Sequence, residues 1–445
     1  MYNNKKILIL GMARSGYEVA KLLSKYTDRI LITDQKEQNI DHVKELQNLN
    51  VQYLVTSEPE TLLDSSFDLV VKNPGINYKN KCVKKAKSLG IKVINEVEVA
   101  YNLIKDKAFI IAVTGSNGKT TTVTLIYELL KHANKKVHLG GNIGIPLSAI
   151  VPEIKKGDIL VCEISSHQLQ DLHEFKPNIA VMTNLSEVHL DFFETYQNYI
   201  NHKKKIFKNQ TKDDIAILNN DNSDVMNLVK EIKADKLYFS IKEKKDIYLD
   251  NNKIYYKNKP IISTDEIRIQ GNHNYENIMA SILAVKQLKV SDECIKEVLE
   301  SFCGVEHRLE FVTKINNRSF YNDSKATNVK STMIALNSIK TPTILLLGGL
   351  DRKHSFEPLI PYLNNVTHII CFGETKKRIK EFSDKQNIDC IIVDNIEEAT
   401  KVAYNISNSG DTILLSPACA SWDQFACFED RGTKFKEVIS EINAK

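Results

Sequence analysis

The clearest chemical potential in this chain lies in residues 114–121, which read Thr114-Gly115-Ser116-Asn117-Gly118-Lys119-Thr120-Thr121. Backbone N–H groups of a glycine-rich turn, together with the positive end of a following helix, can converge on the phosphates of a nucleotide. Lys119 adds a mobile positive charge to such a loop, and the Thr120 hydroxyl can ligate Mg²⁺. The run has the shorter form G-x-x-G-K-[ST]-[ST] of the phosphate-binding loop. Its spacing predicts a site for a nucleoside triphosphate and a divalent cation.

A strand and a helix must hold this loop, and the flanking residues predict both. Residues 109–113 form a β-branched apolar run that is typical of a buried strand. After the loop, apolar residues recur with helical spacing at Val123, Leu125, Ile126, Leu129 and Leu130. A tight glycine turn with no ligand is the alternative interpretation, but it does not require Lys and Thr directly after the second glycine. The flanks therefore favour the nucleotide site.

Two further predicted strands deliver a carboxylate and an imidazole to the same region. Residues 158–162 form a strand that ends at Glu163, and residues 178–183 form a strand that leads through a polar loop to His189. Taken singly, Glu163 fits a surface acid at a strand end and His189 fits an ordinary loop histidine. Because both follow a phosphate loop in chain order, we expect them to lie at the sheet edge that carries the loop and Lys119.

The helix predicted over residues 196–210 contains three successive lysines. At about 100° per residue, Tyr199 and Lys203 share one face, whereas Lys204 and Lys205 turn outward. A buried lysine has a lowered pKa, and its neutral amine can add CO₂ to form a carbamate that binds Mg²⁺. From spacing alone, a solvated basic face with one buried stem is the favoured interpretation. Lys203 is the preferred candidate for the carbamate, and Lys204 is the alternative.

Two segments contribute amide side chains to the central part of the chain. A loop that is too rich in glycine to be helical, residues 140–146, carries Asn142. Residues 271–277 open an apolar helix, and a purely structural interpretation of Asn274 is that it caps the N-terminus of this helix. Asn277 lies inside this predicted helix, where a capping role does not explain it.

The N-terminal residues resemble the first βαβ unit of a dinucleotide fold. A strand at 6–10 precedes Gly11-Met12-Ala13-Arg14-Ser15-Gly16, and a second strand ends in Asp34, which could hold a diol. Ala13 replaces the middle glycine, which disfavours NAD but allows another nucleotide diphosphate. A third strand leads into Asn73-Pro74-Gly75, at the carboxyl edge of the same sheet.

A third α/β structure is predicted after residue 305. Strands at 344–347 and 413–415 close on Gly or Pro turns, helices lie between them, and a dense polar run occupies residues 319–328. The fold class is therefore α/β with three domains, each a largely parallel sheet flanked by helices. We predict a Rossmann-like domain at 1–100, a P-loop ATPase-like domain at 101–304 and a second Rossmann-like domain at 305–445.

Composition limits the classes of partner. The net charge is only +4 over 445 residues, so bulk electrostatics favour neither a nucleic acid nor a membrane surface. No apolar run approaches the roughly 18 residues of a membrane span. The eight cysteines show no C-x-x-C pair, which is typical of reduced thiols. We expect a cytoplasmic protein that binds small molecules, and a monomer.

Taken together, the motifs resemble those of the Mur ligases of bacterial cell-wall synthesis. The matching segments cover nearly the whole chain: 114–121, Gly-Asn-Ile-Gly at 141–144, Glu-Ile-Ser-Ser-His-Gln-Leu at 163–169, His-Leu-Asp at 189–191, Tyr199 with Lys203, Gly-Asn-His-Asn at 271–274 with Asn277, His-Arg at 307–308, Asn-Asp-Ser-Lys-Ala-Thr-Asn at 322–328, Gly-Gly-Leu-Asp-Arg at 348–352, and Ser-Pro-Ala-Cys-Ala-Ser-Trp-Asp-Gln-Phe at 416–425.

The resemblance implies an enzyme that converts a substrate carboxylate into an acyl phosphate with ATP and then joins it to an amine. Within the family, the motifs are most similar to those of the branch that adds D-glutamate to UDP-N-acetylmuramoyl-L-alanine. The residues implied as catalytic are Lys119, Glu163, His189 and carbamylated Lys203. Thr120 and Glu163 are implied at one Mg²⁺, and His189 and Lys203 at a second. Contacts to ATP are implied for residues 115–121, Asn274, Asn277, Arg308 and Asp323.

The same resemblance implies where the other substrates bind. The uridine diphosphate would contact Ser15, Asp34 and Gly75, and Asn142 would contact the substrate nearer the reaction. The D-glutamate pocket is implied at Lys325, Thr327, Arg352, Ser421 and Phe428. Cys419 is interpreted as a packed structural thiol, because this chemistry needs no nucleophilic side chain.

Other members of the superfamily and one unrelated class are the alternatives. A ligase for a diamino acid would carry an Asp-Asn-Pro-Arg stretch in its third domain, which this chain lacks. Folylpolyglutamate synthase lacks the extra domain that residues 1–100 supply. A regulatory ATPase would leave the polar clusters at 322–328 and 416–425 unexplained. Val188 and Phe192-Phe193 are less polar than the residues of many relatives, which indicates that the pocket for the second metal is either drier or shaped differently.

Overall fold

The computed structural model of the chain describes residues 1–188 and 190–444, and the described residues form three mostly parallel sheets of five, nine and six strands. They divide into two compact units, Met1–Phe302 and Cys303–Lys445. The break lies close to the predicted boundary at 304/305. The first two sheets share one unit, so the boundary at residue 100 stays a prediction. Among the described residues, no helix combines the length and the apolar character that crossing a membrane requires.

The first sheet is parallel throughout, with strand order β3-β2-β1-β4-β5. Its carboxyl edge carries the glycine turn after β1, Asp34 at the end of β2 and Asn73 after β4, which is the arrangement that the predicted nucleotide diphosphate requires. The strands are β1 Ile7–Leu10, β2 Ile30–Asp34, β3 Gln52–Val55, β4 Leu69–Lys72 and β5 Lys92–Ile94. The helices are α1 Arg14–Leu23, α2 Ile40–Asn48, α3 Lys81–Ser88 and α4 Glu96–Ile104.

The second sheet has the order β14-β13-β12-β11-β10-β9-β6-β8-β7. Its strands are β6 Phe109–Thr114, β7 Val137–Gly141, β8 Ile159–Glu163, β9 Ile179–Met182, β10 Ile215–Asn219, β11 Asp235–Ser240, β12 Ile247–Asp250, β13 Lys253–Tyr256 and β14 Lys259–Ser263. The first seven are parallel, and β13 and β14 are antiparallel additions at one edge. Because β6 lies between β8 and β9, the ends of both neighbours flank the phosphate loop.

Helices cover both faces of the second sheet. They are α5 Lys119–His132, α6 Leu147–Ile150, α7 Ser166–Leu169, α8 Leu190–Phe193, α9 Tyr196–Lys203, α10 Ser223–Asn227, α11 Asn272–Lys286 and α12 Asp292–Ser301. One apolar core joins α5, α11 and α12 to the sheet, and another is shared by the first sheet, α4 and the opposite face of the second. In the second core, Glu96 of α4 is buried and accepts hydrogen bonds from the backbone N–H and the hydroxyl of Ser148.

The third sheet has the order β15-β16-β20-β17-β18-β19, in which only β15 is antiparallel to its neighbour. Its strands are β15 Glu310–Ile315, β16 Arg318–Asn322, β17 Thr343–Gly348, β18 Val366–Phe372, β19 Asp389–Ile392 and β20 Thr412–Leu415, and its helices are α13 Val329–Ser338, α14 Lys376–Lys385, α15 Ile396–Ile406 and α16 Phe428–Asn443. Two apolar cores, one on each face, hold the helices to the sheet. All eight cysteines of the chain are free thiols.

Candidate active site

The predicted phosphate loop joins β6 to α5. Lys119 is the first residue of α5, and its ammonium group turns back to donate to the carbonyl oxygens of Gly115 and Ser116, each at 2.9 Å. The N-terminus of this 14-residue helix therefore points at the loop with its backbone N–H groups. This arrangement of strand, loop and helix is the one that the sequence predicts for binding phosphates.

Two glycines of the loop are required by close neighbours as well as by their backbone conformation. Gly118 has a φ of +81°, and a Cβ atom there would overlap the side-chain oxygen of Asn277. Gly115 has a φ of +152°, and a Cβ atom there would overlap the hydroxyl of Thr183. Asn277 is buried on α11 and accepts a weak hydrogen bond of 3.4 Å from Thr122. Its position inside a helix is explained by this contact with the loop.

The segment after β9 clamps the phosphate loop from the other side. Asn184 accepts a hydrogen bond from the backbone N–H of Asn117 at 2.9 Å, and its amide donates to the carbonyl of the same residue at 3.2 Å. The Thr183 hydroxyl donates to that carbonyl at 2.5 Å. One residue earlier, the Ser116 hydroxyl accepts from the backbone N–H of Ser186 at 2.8 Å. The sequence analysis assigned no role to Asn184, whose only signal was its place in the polar loop before His189.

Glu163 lies at the end of β8, beside the phosphate loop. Its carboxylate accepts hydrogen bonds from the Thr120 hydroxyl at 2.7 Å and from the Asn142 amide at 2.8 Å, and the side chain is buried. The parallel register of β6 and β8 pairs Glu163 with Val113, so the carboxylate emerges level with the start of the loop. The structure thus brings together three residues that the sequence analysis selected from separate segments.

Thr120 and Glu163 fit a hard divalent cation. A hydroxyl and a carboxylate oxygen are ligands that Mg²⁺ prefers, and Mg²⁺ commonly takes only one or two protein ligands together with substrate phosphates. Among the described residues, no group of three or more His, Cys, Asp and Glu side chains could hold a metal ion. His189, predicted at the second Mg²⁺, lies outside the described residues.

Lys203 is the inward-facing lysine of the triplet. Only 1% of the residue is exposed, and its ammonium donates to the Gly115 carbonyl at 2.6 Å and to the Thr114 hydroxyl at 3.0 Å. Burial, reinforced by the nearby charge of Lys119 and opposed by Glu163, places the pKa of Lys203 well below that of an ordinary lysine. An amine in this position is poised to lose its proton, as carbamate formation requires.

The two lysines that follow Lys203 have different surroundings, although the helical angle predicts that both turn outward. Lys204 pairs with Glu231 at the surface, at 2.9 Å. The expectation that Lys205 turns outward is wrong: its stem is half-buried, and its ammonium donates to the Gln170 carbonyl at 2.6 Å. The predicted helix over 196–210 is also too long. The α-helix ends at Lys203 and a 3₁₀ turn over Lys204–Phe207 follows, which rotates Lys205 back toward the protein.

Aromatic side chains enclose the helix that carries Lys203. Phe193 is buried, and its ring contacts the rings of Tyr199, His202 and His167 at centroid distances of 5.7, 5.1 and 5.2 Å. The Tyr199 hydroxyl lies 2.8 Å from that of Ser116 in the phosphate loop. These rings enclose the segment that carries Lys203, and the character of the second-metal pocket stays a prediction because His189 lies outside the described residues.

The carboxyl edge of the first sheet encloses a pocket of about 230 Å³. Asp34, which was predicted to bind a diol, lines this pocket. One of its carboxylate oxygens accepts a hydrogen bond from the backbone N–H of Met12 at 2.7 Å and so stabilises the glycine turn. Asn73 also lines the pocket. Its amide donates to the Ser15 hydroxyl at 3.2 Å, and its side-chain oxygen accepts the N–H of Gly75 at 3.0 Å. Ser15 and Gly75 thus hold a lining residue that the sequence analysis placed at this edge.

Asn274 is not the helix cap that its position predicts. The helix α11 begins two residues earlier, at Asn272, with Gly271 at the N-cap and a φ of +104°. Asn274 therefore lies in the first turn, where its amide donates to the Gln270 carbonyl at 2.9 Å. The competing signal was the glycine, whose left-handed backbone ends the preceding segment and starts the helix.

In the second unit, Asp323 is buried at the end of β16. Its two oxygens accept hydrogen bonds from the Leu309 N–H at 3.1 Å and the Ser416 hydroxyl at 2.7 Å. Burial raises the pKa of Asp323 to about 7, against the opposing effects of these bonds and of the Arg308 charge. Arg308 itself is exposed. Asp323 is thus held by bonds within the unit, whereas the side chain of Arg308 is open to solvent.

The residues predicted for the amino-acid pocket lie in the loops that follow β16, β17 and β20 and, for Phe428, at the start of α16. The ammonium of Lys325 lies 5.6 Å from the ring centre of Phe428, and the guanidinium of Arg352 lies 4.8 Å from that of Trp422. The Ser421 hydroxyl is buried and has no hydrogen-bond partner among the described residues. A buried hydroxyl without a partner costs free energy unless a ligand satisfies it. Thr327 is half-buried.

Arg431 connects these loops, and the sequence analysis missed it. The side chain is fully buried on α16 and donates to the Ser324 hydroxyl and carbonyl at 3.0 and 2.9 Å, and to the Cys419 carbonyl at 3.1 Å. Burial lowers the pKa of Arg431 to about 10. Cys419 is itself buried, and burial raises the pKa of its thiol to about 11, as expected for a packed structural thiol.

Comparison with known families matches three successive parts of the chain. Residues 5–95 match the Mur ligase MurD-like N-terminal domain, residues 113–285 the Mur ligase middle domain, and residues 307–419 the Mur ligase glutamate ligase domain. The phosphate loop, Glu163 and Lys203 fall in the middle match, and the pocket of the first sheet falls in the N-terminal one.

Relatives match over nearly their full length. The UDP-N-acetylmuramoylalanine--D-glutamate ligase of Geobacillus kaustophilus is 44% identical, over 99% of this chain and 98% of its own, and that of Staphylococcus aureus is 43% identical, over 98% and 96%. Among solved structures, the UDP-N-acetylmuramate-alanine ligase of Thermotoga maritima aligns with a TM-score of 0.59 at 18% identity, covering 98% of this chain and 99% of its own. MurF of the same organism, in complex with ADP, aligns at 0.56 and 17% identity, covering 99% and 96%. These structures are similar in fold.

Proposed function

Because this chain belongs to the Mur ligase family, we propose that it is an ATP-dependent amide ligase that adds D-glutamate to UDP-N-acetylmuramoyl-L-alanine in peptidoglycan precursor synthesis. The observation that carries the proposal is the cluster of Thr120, Asn142 and Glu163 beside the phosphate loop, in a chain 44% identical to such ligases over its whole length. The reaction transfers the γ-phosphoryl group of ATP to the substrate carboxylate and then replaces phosphate with the amine of D-glutamate.

The chain supplies positioning and positive charge for the first step. Backbone N–H groups of the loop and the Lys119 ammonium bind the phosphates, because phosphoryl transfer needs charge neutralisation more than covalent help from the protein. Thr120 and Glu163 would hold one Mg²⁺, and His189 with Lys203 a second. Bound Mg²⁺ supplies positive charge at the phosphates and at the developing oxyanion. Asn142 orients Glu163 through its hydrogen bond to the carboxylate.

Lys203 is proposed to act as a carbamate. Its buried amine gains a carboxylate on reaction with CO₂, which converts a nitrogen donor into an oxygen ligand that Mg²⁺ prefers. Support comes from its burial, its lowered pKa and its position on the Gly115 carbonyl. Lys204, the alternative, is paired with Glu231 at the surface and lacks these features.

The remaining substrate contacts are proposed from the positions that match the family's motifs. Ser15, Asp34 and Gly75, with Asn73 added by the structure, would bind the uridine diphosphate. Asn274, Asn277, Arg308 and Asp323 would complete the ATP site. For D-glutamate, Lys325 and Arg352 would supply positive charge to its carboxylates, and Ser421 would supply a hydroxyl that has no other partner within residues 1–188 and 190–444. Thr327 and Phe428 would line the same pocket. The enzyme is proposed to work in the cytoplasm as a monomer.

A ligation assay tests the proposal. The protein is mixed with ATP, Mg²⁺ and UDP-N-acetylmuramoyl-L-alanine, and phosphate release is measured with D-glutamate, L-glutamate, L-lysine or meso-diaminopimelate. We expect release to depend on D-glutamate, and the product to carry one added glutamate by mass. Equal release with all four amino acids, or release without amide product, would overturn the proposed function.

The carbamate is tested by comparing Lys203→Ala with Lys204→Ala. Lys203→Ala is expected to lose most ligase activity and to regain part of it when a short carboxylic acid such as acetate is added, because the acid can replace the missing oxygen ligand. Lys204→Ala is the matched control, one residue away on the surface, and should stay near wild type. Wild-type activity of Lys203→Ala would contradict the assignment.

A further inference from the structure

A buried ion pair joins the first sheet to the second within the unit Met1–Phe302. Lys72 is the last residue of β4, with 1% of its surface exposed, and Asp171 follows α7. The Lys72 ammonium lies 2.6 Å from a carboxylate oxygen of Asp171. Burial lowers the pKa of Lys72, and the Asp171 carboxylate counteracts that effect. Ninety-nine residues separate the two in the chain, so the pair is a contact between distant segments.

Lys72 also holds the loop that lines the pocket of the first sheet. The same ammonium donates to the carbonyl of Ile76 at 2.8 Å, and the N–H of Ile76 donates to the carbonyl of Asn73 at 3.0 Å. Both Asn73 and Ile76 line the pocket. The Lys72 side chain therefore stabilises the turn at residues 73–76, which contributes to the lining of the pocket.

Asp171 belongs to the segment that leads away from Glu163. Residues 163–171 run from the end of β8 through α7, whose N-terminus is fixed by a capping box between Ser165 and Gln168. Next to Asp171, the carbonyl of Gln170 accepts a hydrogen bond from Lys205 at 2.6 Å. Lys205 is two residues from Lys203. The carboxylate thus lies among the segments that carry the candidate catalytic residues.

The pair is a poor candidate for a purely stabilising contact. Removing two charges from water costs about as much as their attraction returns, and apolar replacements of buried pairs are often neutral or stabilising. The pair is distinguished by what its two members connect: Lys72 is bonded to the loop that lines the pocket, and Asp171 belongs to the segment that begins at Glu163. The pair therefore links the two sites through one direct contact.

We propose that the Lys72–Asp171 pair is a positioning device for the nucleotide-linked substrate, which holds the loop at residues 73–76 in register with the segment that begins at Glu163. This inference rests on the proposed function, in which a single substrate spans both sites. Its nucleotide diphosphate end binds in the pocket of the first sheet, and its carboxylate must reach the phosphate loop. Neither residue touches the reacting atoms, so both are positioning residues.

Four variants separate positioning from stability: Lys72→Met, Asp171→Asn, the double variant Lys72→Met/Asp171→Leu, and Lys5→Met as a control. Lys5 forms an exposed ion pair with Asp68 at 2.9 Å, at the opposite end of the same sheet. For each, the Kd of UDP is measured by calorimetry, kcat and the KM of each substrate by phosphate release, and the melting temperature by circular dichroism.

We expect Asp171→Asn to bind UDP like wild type, since Lys72 still holds Ile76, while kcat falls about 10- to 100-fold through misplacement of the carboxylate. Lys72→Met loses the loop as well, so its Kd for UDP rises about tenfold, the size expected from one charge-assisted hydrogen bond. The double variant recovers the melting temperature but not these kinetic losses. The KM of ATP stays within about twofold of wild type throughout, as does every parameter of Lys5→Met.

Wild-type kcat in Asp171→Asn overturns the inference, and so does a double variant that recovers kinetics together with stability, because the pair is then only structural. If Lys72→Met fails to fold, Asp171→Asn decides alone, since it retains Lys72 and its bond to Ile76. Failure of the proposed function is recognised separately: in that case wild-type protein neither binds UDP nor ligates D-glutamate, whatever the variants do.

Discussion

Replacing Asn184 should weaken nucleotide binding although we place no ATP contact on this side chain. Asn184→Ala removes two hydrogen bonds to the backbone of Asn117, one of 2.9 Å and one of 3.2 Å. At about 0.5 to 1.5 kcal/mol for each neutral hydrogen bond, the loss is about 1 to 3 kcal/mol. If this whole free-energy loss goes into disorder of the unliganded loop, the Kd of ADP with Mg²⁺ rises by about 5- to 150-fold. The increase is smaller if part of the loss instead lowers the stability of the folded protein.

A second substitution at the same position refines the prediction. Asn184→Asp keeps an acceptor for the N–H of Asn117 but loses the donor to its carbonyl, and it places a negative charge beside the phosphate loop. We expect it to weaken ADP binding more than Asn184→Ala does, because the new charge repels the phosphates. If only the hydrogen-bond count mattered, the order of the two variants would be reversed.

Calorimetric titration of ADP with Mg²⁺ measures both variants against Asn209→Ala. The amide of Asn209 also donates two hydrogen bonds to backbone, to His173 at 2.8 Å and Phe175 at 3.0 Å, away from the phosphate loop. Its loss should lower the melting temperature without changing the Kd of ADP. The reasoning is refuted if Asn184→Ala binds ADP within about twofold of wild type, or if Asn209→Ala weakens ADP equally.

Three further predictions concern strain, pH and thiol reactivity. Gly118→Ala should abolish measurable ATP binding. Gly90→Ala, at a φ of +69° with no neighbour within 4 Å, should lose only about 1 to 2 kcal/mol of unfolding free energy in urea, from left-handed strain. Equal losses of unfolding free energy in the two variants would contradict the overlap of a Cβ at residue 118 with Asn277. Burial raises the pKa of Glu96 from 4.5 to about 7. Between those pH values the folded state binds more protons than the unfolded state, so the free energy of unfolding falls as the pH rises through them. Glu96→Gln should flatten this decline; an unchanged slope in unfolding experiments from pH 5 to 8 would contradict the role given to Glu96. The sulfurs of Cys371 and Cys390 lie 3.5 Å apart, and the hydrogen bond between the two thiols lowers the pKa of Cys390 below that of an ordinary cysteine. Iodoacetamide should therefore label Cys390 before the buried cysteines, and Cys371→Ser should slow that labelling; peptide mass spectrometry decides.

The site parts that the sequence predicts well are those set by local periodicity. The phosphate loop, the strand end at Glu163 and the inward face of Lys203 each follow from a pattern within about ten residues. The parallel sheet then brings them together, because successive strands of an α/β fold end at one edge. For this reason three segments separated by up to about ninety residues could be combined before the structure was known.

The parts that could not be predicted depend on contacts between distant segments or on which of two local signals prevails. Asn184 and the Lys72–Asp171 pair act through partners 67 and 99 residues away, which no local pattern encodes. Asn274 has the residue type of a helix cap, but Gly271 starts the helix earlier. The direction of Lys205 was predicted from an α-helical angle, but the α-helix ends at Lys203 and a tighter turn follows.

The stacking of Arg352 on Trp422 gives the protein a built-in optical probe. Trp422 is the single tryptophan of the chain and is 65% exposed, so red-edge excitation isolates its emission from that of the tyrosines. The guanidinium places a positive charge on the face of the indole, so the environment of Trp422 depends on where Arg352 lies. An anion that draws Arg352 away therefore changes the fluorescence of the unlabelled protein, and amino acids could be titrated into it without ATP, coupling enzymes or turnover.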